Sequence, residues 1–333
     1  MNITTAGRGL NFERTLPISL VHKPSNDSVL LTDYVVQSHL ETLLGAQVAR
    51  GHGLYQENIL EVAGYDIAAL VEICRQACFA IAHNQFDLSL KENRYQFLFR
   101  ELEANITPSA LEIEHPRGHP IRVVVASTVE KVLRSDKRTS GLTWRFELSD
   151  PKGMEIALIR IRQNFVDREQ WKRIREAMCR QRGVVFQGAI EIPPESELLP
   201  SDVGRWNPQN LALIGVTSIG NRYEAVARID PRHPILFDRP TADHIFAMIQ
   251  LEASRQLSVY SAAKSLNVNP FKLKVIRCDA LFQSMGELNT PTILHAELST
   301  NRGGRSGARV DIQIMQGERS VSTFQVEILE IGT

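Results

Sequence analysis

Val71-Glu-Ile-Cys-Arg-Gln76 and Leu251-Glu-Ala-Ser-Arg-Gln256 are one pattern written twice. Glu72, Arg75 and Gln76 return as Glu252, Arg255 and Gln256 at the same spacing. Each copy lies in a stretch free of Pro and Gly, from Asp66 to His83 and from Asp243 to Lys264, which predicts two helices. Apart from the repeated triplet both are apolar nearly all round, through Ile67, Leu70, Val71, Ile73, Phe79 and Ile81 in one and Ile245, Phe246, Met248, Ile249, Leu257 and Val259 in the other. A helix of that kind belongs inside a core. Glu, Arg and Gln at i, i+3 and i+4 share one of its faces.

Each core helix therefore carries a polar stripe whose carboxylate and guanidinium cannot be buried unpaired without large cost. One reading is a structural ion pair, bridging the helices. The other is a cleft to which both halves deliver acid–base and anion-binding groups, and twofold use of a costly arrangement favours it.

Working outward, each predicted helix is preceded by two strands and followed by four. Ser28–Val36 and Glu41–Val48 lead to a turn at Arg50-Gly-His52; Asn210–Thr217 and Arg222–Ile229 lead to one at Pro231-Arg-His233. Beyond the helices, Tyr95–Ile106, Ile121–Val132, Leu142–Leu148 and Glu155–Phe165 correspond to Phe271–Gln283, Thr292–Leu298, Ala308–Met315 and Val321–Ile328. Their β-branched residues alternate with polar ones, as in antiparallel strands with one wet face. The expectation is an α+β tandem hotdog, each half an antiparallel sheet wrapped round a long helix. Between the halves Asp167–Arg182 reads as a basic amphipathic helix, with a Pro-rich acidic linker from Glu191 to Asp202. The expected units are residues 1–166, 167–202 and 203–333.

The length of 333 residues suits two domains, and 43% apolar residues are ample for their cores. A formal net charge of zero gives no general pull toward nucleic acid or an anionic membrane. No apolar run reaches membrane-spanning length, and Met1–Asn11 lacks the core of a secretory signal. The four cysteines show no zinc-ligand spacing, so no metal or cofactor is expected and a reducing cytoplasm is.

Local strings narrow the function. His233 to Glu252 resembles the layout of hotdog β-hydroxyacyl dehydratases, but Asp238 stands where their histidine would be, while Glu252 matches their Glu. Over almost the whole chain the sequence resembles the AfsA (A-factor biosynthesis) family of tandem-hotdog proteins. The first half matches through Leu20-Val-His-Lys23, Val29-Leu-Leu-Thr-Asp33, Ala46-Gln-Val-Ala-Arg-Gly-His52 with Tyr55, and Glu72-x-x-Arg75-Gln76. The second matches through Val203-Gly-Arg205, His233-Pro with Leu236-Phe-Asp238, Pro240, Asp243-His244 and Leu251-Glu-Ala-x-Arg-Gln256. It departs from the family at Phe246-Ala247, where Pro-Gly is usual, and at Val48-Ala49, where Trp-Pro is usual.

The resemblance implies transfer of a β-ketoacyl group from an acyl-carrier-protein or CoA thioester to the hydroxyl of dihydroxyacetone phosphate, in γ-butyrolactone or butenolide biosynthesis. Hydrolysis, dehydration and non-catalytic acyl binding are the alternatives. The expected catalytic residues are Glu252 as base with a burial-raised pKa, Glu72 as its counterpart, Arg255 and Arg75 toward the acceptor phosphate, and Asp238. Gln76, Gln256, His52, His233 and His244 are the expected substrate-binding residues; each turn histidine is equally suited to fixing its turn. Asp243 reads as an N-cap. Arg168, Lys172, Arg173, Arg175, Arg180 and Arg182, with the arginines of Asn301–Arg309, form either a docking surface for an acidic carrier protein or a solvated face. Either a monomeric pseudo-dimer or a homodimer fits the duplication.

Overall fold

A computed structural model describes residues 9–57, 64–90, 94–112, 119–136, 138–184, 190–238, 242–301 and 306–331. Pro240 and residues 302–305, whose arginines are read above as part of a docking surface or a solvated face, lie outside them. In chain order the elements are β1 (Leu31–Val36), β2 (Glu41–Val48), α1 (Ile67–Gln85), β3 (Tyr95–Ile106), β4 (Ile121–Ser135), β5 (Arg138–Ser149), β6 (Glu155–Asp167) and α2 (Arg168–Arg182). The second half continues with β7 (Leu213–Ile219), β8 (Arg222–Ala227), α3 (Ala247–Leu266), β9 (Leu273–Phe282), β10 (Ile293–Asn301), β11 (Gly307–Gln316) and β12 (Arg319–Glu330).

All twelve strands form one antiparallel sheet in the order β1-β2-β4-β5-β6-β3-β9-β12-β11-β10-β8-β7. Read outward from its middle, each side repeats the other, as a duplicated plan requires. The seam is the β3–β9 pairing, with Glu101 opposite Leu281 and Ala104 opposite Cys278. Alternation decides which face is covered: on β11, Val310, Ile312 and Ile314 are buried while Arg309, Asp311 and Gln313 face water. Both long helices lie against the buried face and touch each other.

Two expected strands begin late, for one shared reason. Leu30 N–H and Ala212 N–H, ahead of β1 and β7, donate to the side-chain oxygens of Gln76 and Gln256, both at 2.9 Å. Those amides take the partner a strand would supply. α3 also begins late, at Ala247 rather than Asp243. Ile245 N–H is held by the Gly286 carbonyl at 2.9 Å, which keeps the chain extended, and Phe246 occupies the N-cap position. The N-cap reading of Asp243 is thereby corrected.

Candidate active site

The repeated triplets are buried in two matching clusters. Glu72, 2% exposed, accepts from Arg75 Nε at 2.7 Å, Arg75 Nη2 at 3.0 Å and Gln76 Nε2 at 2.8 Å. Lys23 Nζ lies 2.9 Å from it. Glu252, wholly buried, accepts from Arg255 Nε and Nη2 at 3.0 and 2.9 Å, from Gln256 Nε2 at 2.7 Å, and from Arg205 Nε and Nη2 at 2.9 and 2.7 Å. Lys23 and Arg205 escaped the reading of charge and periodicity. Their signal was there: each sits in a matching string ahead of its half's first strand, and a desolvated carboxylate needs more than one cation.

The clusters cross between the halves. Asp238 accepts from Lys23 Nζ at 2.7 Å and Arg75 Nη2 at 3.0 Å. In return Arg205 Nη1 donates to the Leu54 carbonyl at 2.7 Å and lies 3.4 Å from Asp66 and 3.6 Å from Glu57. Glu57 follows His52 by the same interval at which Asp238 follows His233. That register was legible in the repeat, and Glu57 is a member of the cluster it did not single out.

The expectation of a raised carboxylate pKa is reversed. Burial alone would raise Glu72, but Arg75 and Lys23 outweigh it and hold the group at about 2. Glu252 is held lower still, its burial overcome by Arg205 and Arg255. Both are ionised and saturated with donors, which makes them weak bases. Burial likewise pushes His52 and His233 down to about 4, so both rings are neutral at pH 7. His52 Nδ1 accepts from Tyr55 N–H at 3.2 Å, and His233 Nδ1 from Leu236 N–H at 3.0 Å. These contacts fix the two turns.

Beside the first cluster is a cavity of about 80 Å³. Of the ten expected site residues, Arg75, Asp238 and His244 line it; Glu72, Gln76, His52, His233, Glu252, Arg255 and Gln256 do not. Its apolar wall includes Phe79, Phe97, Phe246, Met248 and Met285. Arg75 Nη1 has no hydrogen-bond partner among the described residues, so it presents donors that its Glu72 and Asp238 contacts leave unused.

The start of α3 forms another part of the wall, through Phe246, Ala247 and Met248. Phe246 supplies no side-chain cap, whereas Asp66 caps α1 by accepting from Ala68 N–H at 2.8 Å. First-turn N–H groups have no acceptor inside their own helix, and those of Ala247 and Met248 have none among the described residues. With the partial positive charge of the helix end, they suit an oxyanion.

A family model for the A-factor biosynthesis hotdog domain, AfsA, matches residues 6–152 and 189–331. The chain belongs to the AfsA family. It is 26% identical over 285 residues, 85% of its own length and 87% of the relative's, to a 2-oxo-3-(phosphooxy)propyl 3-oxoalkanoate synthase of Streptomyces virginiae. A protein of the same name from Streptomyces griseus is 31% identical over 116 residues, 35% of each chain. Among solved structures, the pyran synthase domain from module nine of the sorangicin pathway superposes with a TM-score of 0.51 at 10% identity. That match covers 91% of this AfsA chain and 98% of the domain, a likeness of fold.

Proposed function

We propose that this AfsA-family protein is an acyltransferase that moves a β-ketoacyl group from a carrier-protein or CoA thioester to the hydroxyl of dihydroxyacetone phosphate. The observation that carries the proposal is the cavity where Arg75 of α1 meets the uncapped start of α3. Membership of the family, and the name shared by the two Streptomyces relatives, support the choice of a β-ketoacyl group and a phosphorylated acceptor.

The thioester oxygen sits against the N–H groups of Ala247 and Met248, which stabilise charge as it develops in the transition state. The guanidinium of Arg75 binds the acceptor phosphate, for which its planar donor set is suited. Asp238 orients Arg75 from the other side. The acceptor hydroxyl oxygen bonds to the thioester carbonyl carbon, the carbon–sulfur bond breaks, and the hydroxyl proton ends on the departing sulfur. Glu72 and Glu252, with Gln76 and Gln256, position Arg75 and Arg255 and do not take the proton themselves. The cavity is small beside the roughly 300–1,000 Å³ of most small-molecule sites, so the acyl chain enters by displacing side chains such as Met248 and Met285.

The carrier protein docks on the outer face of α2, where Arg168, Lys172, Arg173 and Arg180 are exposed while Trp171 reaches back to Asp243 beside the cavity. The two halves act as a pseudo-dimer within one chain. Four buried, unpaired cysteines support a cytoplasmic location, and no helix among the described residues is long and apolar enough to cross a membrane.

Mass spectrometry of the purified protein mixed with a β-ketoacyl thioester, with and without dihydroxyacetone phosphate, tests the reading. The phosphorylated ester should form only when the acceptor is present. Free β-keto acid at the same rate in both mixtures would make the protein a thioesterase and end the proposal.

A further inference from the structure

Of the other candidate bases described above, none is free. Glu72 is saturated, Asp238 is tied to two cations, and the Nδ1 lone pairs of His52 and His233 are occupied by backbone N–H groups. His244 is different. It lines the same cavity as Arg75 and Asp238, and its Nδ1 lies 2.5 Å from Asp243 Oδ1. Asp243 is itself held in place: its Oδ2 accepts from Trp171 Nε1 at 2.9 Å, and its backbone carbonyl accepts from Arg175 Nη2 at 2.6 Å. Arg175 is wholly buried and clamped to Glu287 by bonds of 3.0 and 2.7 Å.

This chain of contacts fixes the ring. With the Nδ1 proton given to Asp243, the Nε2 lone pair is left over, and Nε2 has no partner among the described residues. Trp171 and Phe246 meet the ring edge-on, with centroids 6.0 and 5.7 Å away, and set its plane. A carboxylate that orients an imidazole also stabilises the imidazolium formed when the other nitrogen takes a proton.

We propose that His244 is the catalytic base of the acyl transfer and that Asp243 is its positioning residue, an inference that rests on the function proposed above. His244 Nε2 takes the proton of the acceptor hydroxyl as its oxygen bonds to the thioester carbon. It returns that proton to the sulfur as the carbon–sulfur bond breaks, so no other reactant is needed. The charged groups around the ring are Asp243, Asp238, Arg75 and Arg175, with Glu287 and Arg182 behind Arg175. The Arg175–Glu287–Arg182 group explains why a helix that reads as a solvated basic stripe sends two of its arginines inward.

The test is kcat, KM and the pH–rate profile of ester formation for the wild type, His244→Gln and Asp243→Asn. His244→Gln should lose on the order of 10²–10⁴-fold in kcat with KM little changed. The fall of the wild-type rate toward acid pH should vanish with it. Asp243→Asn keeps an oxygen for Trp171 and should lose kcat in the same direction; it carries the test should His244→Gln fail to fold. A folded His244→Gln protein with wild-type kcat and an unchanged acid limb overturns the inference. So does an Asp243→Asn protein with both unchanged. Absence of ester from the wild type would instead remove the acyltransferase reading, which separates the two failures.

Discussion

Gln256 makes three hydrogen bonds, to Glu252 at 2.7 Å, the Asn210 carbonyl at 2.7 Å and Ala212 N–H at 2.9 Å. Gln76 repeats them in the first half with Glu72, Ser28 and Leu30. Gln256→Leu would leave a buried N–H and a buried carbonyl without partners, each costing about 1–3 kcal/mol. Chemical denaturation should show the variant less stable by at least about 2 kcal/mol; an unchanged midpoint would contradict that bonding. Acid should act through the neighbouring groups. His52 and His233 have folded pKa values near 4 against an ordinary 6.5, so their stabilisation is complete above pH 6.5 and is lost as pH falls through about 4. Glu72, near 2 against 4.5, extends the loss below pH 4.5. The thermal midpoint should therefore decline from about pH 6.5 downward, and His52→Gln should flatten the upper part of that decline. A midpoint constant between pH 6.5 and 4 would show these rings are not held neutral.

α2 shows why a basic helix need not be a surface feature throughout. Asp167 caps it by accepting from Glu169 N–H at 3.0 Å, and Gly183, at φ 66°, ends it in the left-handed region. Trp171, Arg175 and Cys179, spaced i, i+4 and i+8, form its buried edge. Arg175→Met removes one of two cations from Glu287 and should cost about 3 kcal/mol in chemical denaturation; a neutral effect would mean Glu287 is held adequately by Arg182 alone. The limits of α2 were legible because its caps are local signals. The start of α3 was not, since it is set by Gly286, far along the chain. Glu72 and Glu252 were legible as buried charges from the apolar residues around them. The direction of their pKa shifts was not, because Lys23 and Arg205 reach them from segments no helical periodicity connects.

Across the whole molecule, duplication was readable from the repeated triplet and strand order, but fusion of the halves into one sheet was not. Nothing in the alternation of Tyr95–Ile106 announces that its free edge pairs with β9. The β3–β9 seam and the ion pairs of Asp238 with Lys23 and Arg75, and of Arg205 with Asp66, bind the halves to each other. Urea unfolding followed by circular dichroism and by tryptophan fluorescence should therefore give coincident curves; a plateau between two transitions would show the halves unfolding separately. The same crossing makes the proposed site composite, with its phosphate ligand from α1 and its oxyanion donors from α3. Two variants separate these contributions. Arg75→Lys keeps the charge but loses the planar fork, while Ala247→Pro removes one N–H at a helix position that tolerates proline, after a Phe246 whose ψ of 150° suits it. The decisive measurement is the rate of ester formation against dihydroxyacetone phosphate concentration for wild type and both variants. Arg75→Lys should raise the acceptor KM by about tenfold or more, and Ala247→Pro should lower kcat by roughly 10²–10³-fold at little change in KM. Curves for both folded variants that overlay the wild type would contradict a site built between the two helices.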